Sequence, residues 1–193
     1  MKQLALVGFL LVLVGIAAQN PDFGIKTPGK RVFGPGVTEK PVMNLPLALR
    51  QANWRGRNGS GSCVHASWIS CLRWQGQYEW ADWWAAHYDG GENYEEMVQR
   101  LDDAGIRWAG TVGEGNTAFL EWSCRTRRGC IVTWSPRHVV TLVHFDSKWA
   151  GILNNNEIDR IIWIPRDEFV QEWKSRGSWA MSPVYTPPPP LGS

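Results

Sequence analysis

Cys63 is the residue of this 193-residue chain best placed to do chemistry. In Gly61-Ser62-Cys63-Val64-His65 it follows a glycine- and serine-rich loop and opens CVHASWISCLRW (63–74), whose apolar residues recur at helical spacing. A thiol at a helix start has its pKa lowered by the unpaired N–H groups and the macrodipole, which favours the thiolate that attacks. The backbone N–H of Cys63 also points forward, where it can meet the oxyanion of a tetrahedral intermediate. Cys71 lies two turns deeper among Trp68, Leu72 and Trp74 and reads as an inert, buried thiol.

Such a thiol needs a base. His65 is nearest in sequence, but position i+2 of a helix lies about 200° around the axis, so its ring should face away from Cys63 and pack elsewhere. His87 closes a tryptophan-rich helical stretch and suits a helix C-terminal cation. His138 and His144 share a face of the run HVVTLVHF (138–145) but sit roughly 20 Å apart at strand rise, so only one can serve. His138 opens that run directly after the turn formers Ser135-Pro136-Arg137, a good place from which to present an imidazole. Downstream, WAGILNNN offers a side-chain amide on the neighbouring strand, able to hold the ring in its productive tautomer. The triple asparagine also suits a hairpin turn, since Asn tolerates positive φ.

These side chains need elements to carry them. Further helical patterns cover YEWADWWAAHY (78–88), YEEMVQRLDDA (94–104) between Asn93 and Gly105, and TAFLEWSCRTRR (117–128) between Asn116 and Gly129. After Gly129 the pattern turns to strands: CIVTW (130–134), HVVTLVHF (138–145), WAGILN (149–154) and RIIWI (160–164). Pro165 then opens RDEFVQEWKSR (166–176), ended by Gly177, and WAMSPV (179–184) can return as one more strand. Helices first and an antiparallel sheet second imply an α+β domain with two lobes.

Residues 1–18, with Lys2, the apolar run Leu4 to Ile16 and then Ala17-Ala18, have the form of an export signal, and the run falls short of the roughly 20 residues that span a bilayer. Residues 19–45 read as an extended, Gly- and Pro-rich leader, 46–184 as the folded domain, and 185–193 as a proline-rich tail. A net charge of +2 gives no reason to expect nucleic acid or an anionic surface as partner, nor a membrane once the signal is removed. The 13 tryptophans fit either a dense aromatic core or an aromatic-lined groove. Four cysteines in an exported chain suggest disulfides, and a bridge across CRTRRGC (124–130) would leave Cys63 free. Cys63, His65 and Cys71 lack metal-ligand spacing, so no metal is expected.

The order Cys63 at a helix start, His138 opening a strand, and Asn154 to Asn156 closing the next strand resembles papain-like cysteine peptidases. The closer resemblance, carried by HVVTLVHFD, WAGILNNN and IPRDEFVQEW, is to the bacteriocin-processing, double-glycine peptidases. It implies a helical N-terminal lobe, an antiparallel C-terminal lobe, and a site in the cleft between them. It also implies Cys63 as nucleophile, His138 as base and then acid, and Asn155 (or Asn154) as orienter, acting on a peptide or protein substrate without cofactor. Papain-like enzymes carry a Gln about six residues before the cysteine to bind the oxyanion. Arg57 stands there in this chain, leaving Gln51 or Asn58 for that role. Two other functions use similar parts: an acyl-transferase of the same fold, or a non-catalytic, Trp-rich module binding peptide or glycan.

Overall fold

The computed structural model describes residues 39–43 and 45–187. The expected signal over 1–18, the leader as far as residue 38, and tail residues 188–193 lie outside the described residues. Helices α1 (Cys63–Trp74), α2 (Tyr78–His87) and α3 (Tyr94–Asp103) come first, then a short strand β1 (Trp108–Thr111) and α4 (Thr117–Arg125). Strands β2 (Cys130–Ser135), β3 (His138–Phe145), β4 (Trp149–Asn154) and β5 (Glu157–Pro165) follow, then α5 (Arg166–Ser175) and β6 (Ala180–Pro183). The strands form one six-stranded sheet in the order β1-β6-β2-β3-β4-β5, and every pairing is antiparallel. The α+β class read from the sequence is the class observed.

Alternation along the strands explains the layering. Ile131, Val139 and Met181 join a core with α1, α2 and α3, whereas Val132, Val140 and Ala180 join a second core with α4 and α5. The middle strands are therefore apolar on both faces and covered on both. Trp68, Trp84 and Trp173 are fully buried, and burial of one such side chain contributes roughly 2–3 kcal/mol. None of the 13 tryptophans is fully exposed: Trp68, Trp80, Trp84, Trp173 and Trp179 are buried and the others half-buried.

Local signals set the helix ends near the cleft. Asn93 Oδ1 accepts the Glu96 N–H at 2.9 Å while Glu96 Oε2 accepts the Asn93 N–H at 2.8 Å, a reciprocal cap that fixes the start of α3. Leu45, expected in the leader, is buried against Val143 and Leu153, and Thr186, expected in the tail, is buried as well. The expected Cys124–Cys130 bridge is absent: all four cysteines are free. Cys124 Sγ on α4 lies 3.8 Å from the Leu142 carbonyl and 3.9 Å from Ser123 Oγ, and the same hydroxyl lies 3.2 Å from Cys130 Sγ in the core.

One buried side chain ties the cysteine helix to the sheet. Asn155 Nδ2 donates toward Cys63 O at 2.9 Å, Ser67 Oγ at 2.9 Å and Val139 O at 2.8 Å, and the Asn155 carbonyl accepts the Asn53 N–H at 2.7 Å. The amide's two hydrogens thus serve three acceptors on α1 and β3 where water cannot replace them. Asn155→Ala strands buried acceptors at about 1–3 kcal/mol each, so we expect it to lower the unfolding free energy by about 3 kcal/mol in urea titrations at neutral pH. A loss below about 1 kcal/mol would mean that the bracket carries no strength.

Candidate active site

Cys63 is the first residue of α1, behind Ser62, whose hydroxyl accepts the Gly90 N–H at 2.8 Å. This bond pins the cysteine loop to the loop after α2. The thiol opens onto a cleft of about 670 Å³ lined by residues of both loops, by the start of α3, by the β2–β3 hairpin and by Trp179. His138 enters from the hairpin, where Ser135 pairs with His138 across a two-residue turn. Pro136 at the first turn position and a φ of 61° at Arg137 follow the type II pattern, with Arg137 holding a conformation that usually falls to Gly or Asn.

Cys63 and His138 are partners. Burial raises the thiol, but the hydrogen bond with His138, the N–H of Val139, the charge of His138 and the N–H of Val64 together outweigh it, and the pKa falls below its ordinary 9.0. The His138 pKa rises above 6.5, first through the hydrogen bond with Cys63, against burial, and further through Asn154. Opposite shifts favour the thiolate–imidazolium form on both sides.

Asn154, not Asn155, faces the imidazole. Its Oδ1 lies 2.9 Å from His138 Nε2 and 3.1 Å from the Asn156 N–H, so a backbone donor fixes which end of the amide points at the ring. The amide oxygen accepts, Nε2 carries the proton, and Nδ1 is left for the thiol. The end of the strand is the reason for the correction: Asn154 is the last residue of β4, and Asn155, in the turn, directs its amide the other way, into the bracket beneath Cys63.

Neither amide expected at the oxyanion position lies there. Gln51 sits beside α1 at the level of Ser70 and Arg73, about two turns from Cys63, with its Oε1 taking an Arg73 N–H at 2.9 Å. Asn58 folds back on its own loop, accepting the Ser60 N–H at 2.9 Å, and covers Gly90 so closely that a Cβ there would meet its Nδ2 at 2.5 Å. The amide that does line the cleft is Asn53. Its Nδ2 donates to Asn156 Oδ1 at 2.9 Å and would lie 3.3 Å from a Cβ on Gly61, two residues before the cysteine. Sequence reasoning missed it because its partner lies in the Asn154–Asn156 cluster, far along the chain.

The other histidines have separate roles. His65 is buried, accepts the Trp84 indole N–H at Nδ1 (3.1 Å), and stacks with Tyr88, so it faces away from the thiol as its helix position requires. His144 pairs with Asp146 at 2.9 Å on another face. Among the described residues no group of three or more His, Cys, Asp or Glu side chains is placed to hold a metal ion.

No protein-family model matches the chain, and no curated protein matches it. Its fold is similar to that of a crystal structure described as a C39-like peptidase from Bacillus anthracis, at 18% identity and a TM-score of 0.42, over 51% of this chain and 62% of that one. It is also similar to a double-glycine-motif protease from an AMS/PCAT transporter, solved in complex with the leader peptide. That match has 19% identity and a TM-score of 0.45, over 64% of this chain and 85% of that one.

Burial, then the charges of Asp89 (raising) and Arg100 (lowering), bring the His65 pKa down to about 4 from 6.5. Unfolded, that imidazole takes a proton near pH 6.5; folded, only near 4. Stability from this group is therefore present above pH 6.5 and is lost as pH falls toward 4, by about 3 kcal/mol in all. Imidazole ¹⁵N shifts should show His65 neutral down to about pH 4 and His138 protonating above the ordinary value of 6.5. A His65 titrating near 6.5 would contradict its placement.

Proposed function

We propose that this protein is an exported cysteine hydrolase that cleaves peptide or related amide bonds, with Cys63 as nucleophile, His138 as general base and acid, and Asn154 as orienter. The observation that carries the proposal is the His138 ring held between the Cys63 thiol and the Asn154 amide oxygen, with both pKa values moved toward the ion pair. Export, to the periplasm or the medium, rests on Lys2, the apolar run Leu4 to Ile16 and the small residues after it.

The thiolate attacks the scissile carbonyl carbon, and the electron pair of the C=O moves to oxygen. The Cys63 N–H, at a helix start where it has no intrahelical partner, and one Asn53 Nδ2–H receive that charge. His138 passes its proton to the leaving amine, the C–N bond breaks and a thioester remains. His138 then takes a proton from the attacking water, a second tetrahedral intermediate collapses, and the acid leaves with the thiolate restored. An acyl-transferase would differ only in admitting an amine instead of water at the last stage. A binding module would need no such hydrogen-bonded thiol and imidazole, and of the 13 tryptophans only Trp179 lines this cleft.

Iodoacetamide near pH 6 should alkylate Cys63 selectively, since its pKa is lowered while those of Cys71, Cys130 and the half-buried Cys124 are raised. In turnover of a fluorogenic peptide, His138→Ala should cost about 10²–10⁴ in rate. Asn53→Ala should cost about 10²–10³ as the loss of an oxyanion donor. Asn154→Ala should cost less than His138→Ala, and His65→Ala should leave folded protein close to wild type. A folded protein whose Cys63 resists alkylation, or whose rate is indifferent to His138, would overturn the proposal.

A further inference from the structure

Away from the cleft, α2 and the chain leaving β6 enclose a second concavity of about 320 Å³, lined mainly by Gln77, Tyr78, Glu79, Trp80 and Tyr185. It shares no lining residue with the cleft. Tyr78 and Tyr185 are 53% and 68% exposed, among the few large apolar side chains that the described residues leave in solvent. At its edge Trp80 Nε1 donates to the carbonyl of Pro187 at 2.6 Å, and the Trp80 indole is held edge-on to Trp83 with ring centroids 5.4 Å apart.

Prolines have no N–H to offer, so a polyproline II segment is recognised by its rings, which lie on aromatic faces, and by its unpaired carbonyls, which take donors such as an indole N–H. Tyr78, Trp80 and Tyr185 supply both. The chain is also delivered to the groove: the Val184 N–H bonds Arg107 O at 3.0 Å and the Arg107 N–H bonds Thr186 Oγ1 at 2.9 Å, fixing the residues just before Pro187. Three more prolines, Pro188, Pro189 and Pro190, follow immediately.

We infer that this groove is a binding site for a proline-rich segment in the polyproline II conformation, and that its occupant is the chain's own segment from Pro187 to Ser193. Tethering supplies it at an effective concentration that a free peptide reaches only in the millimolar range. The entropy lost on docking is small because proline has already fixed φ.

The test compares the full chain with one ending at Pro187, which keeps the Trp80–Pro187 bond, in ¹H–¹⁵N spectra of ¹⁵N-tryptophan-labelled protein. Trp80→Phe assigns the indole signal. Loss of residues 188–193 should shift the Trp80 indole resonance. The free peptide Pro-Pro-Pro-Leu-Gly-Ser should move it back in the shortened chain, and bind the full chain at least about ten-fold more weakly, because the tethered copy is already in place. Replacing Pro188, Pro189 and Pro190 by Gly in the full chain should reproduce the truncation. The inference is overturned if the Trp80 signal ignores both truncation and peptide. It is equally overturned if the full-chain signal reverts on dilution, which would mean that the tail of a second copy fills the groove.

Discussion

The site depends on the alternation of side chains where β4 runs into its turn. Two adjacent asparagines occupy that place, and successive side chains point to opposite sides. Asn154 meets the imidazole, while Asn155 reaches under the cysteine helix and takes hold of the Cys63 carbonyl, Ser67 and the Val139 carbonyl. One residue bonds the His138 ring, and the next ties the element that carries the ring to the element that carries the thiol. A shift of one residue would exchange the two roles and lose both, because the buried acceptors would face a side chain directed at the ring.

The same residue type is driven in opposite directions within one small fold. His138 gains a thiol and an amide oxygen as partners, and its cationic form is favoured in spite of burial. His65 is enclosed with an indole N–H already on one nitrogen and has its cationic form suppressed, with its other nitrogen 3.8 Å from Glu92. Burial alone would lower both. What separates them is whether a neighbour changes charge in step with the ring. Cys63 does so, since its own pKa falls while that of His138 rises.

Much of this was legible in the chain. The helix begun by Cys63, the strand begun by His138 and the strand ended by Asn154 have in the structure the limits that their periodicity sets. The short strand β1 was not legible, because four residues ending near glycines carry too little pattern and become a strand only by pairing with β6. The choice between Asn154 and Asn155 needed the direction of each side chain at the turn, which periodicity does not give, and Asn53 needed a partner on a distant turn. Gln51 was drawn by its residue type to a role that its position beside Ser70 and Arg73 forbids. The cysteines 124 and 130, close in sequence, both reach the Ser123 hydroxyl and stay unbridged, which loop length alone does not tell.

The bracket under Cys63 joins residues 92 positions apart, and the imidazole comes from the distant hairpin that the bracket also holds. Contacts of such span form late, after the loop between them has closed. A chain emerging during synthesis, or threaded unfolded through a pore, therefore carries Cys63 as an ordinary thiol, mostly protonated at neutral pH. Reactivity arrives only with the last stage of assembly. The fold thus acts as its own safety catch, leaving the Cys63 thiol quiet until the chain has closed around it.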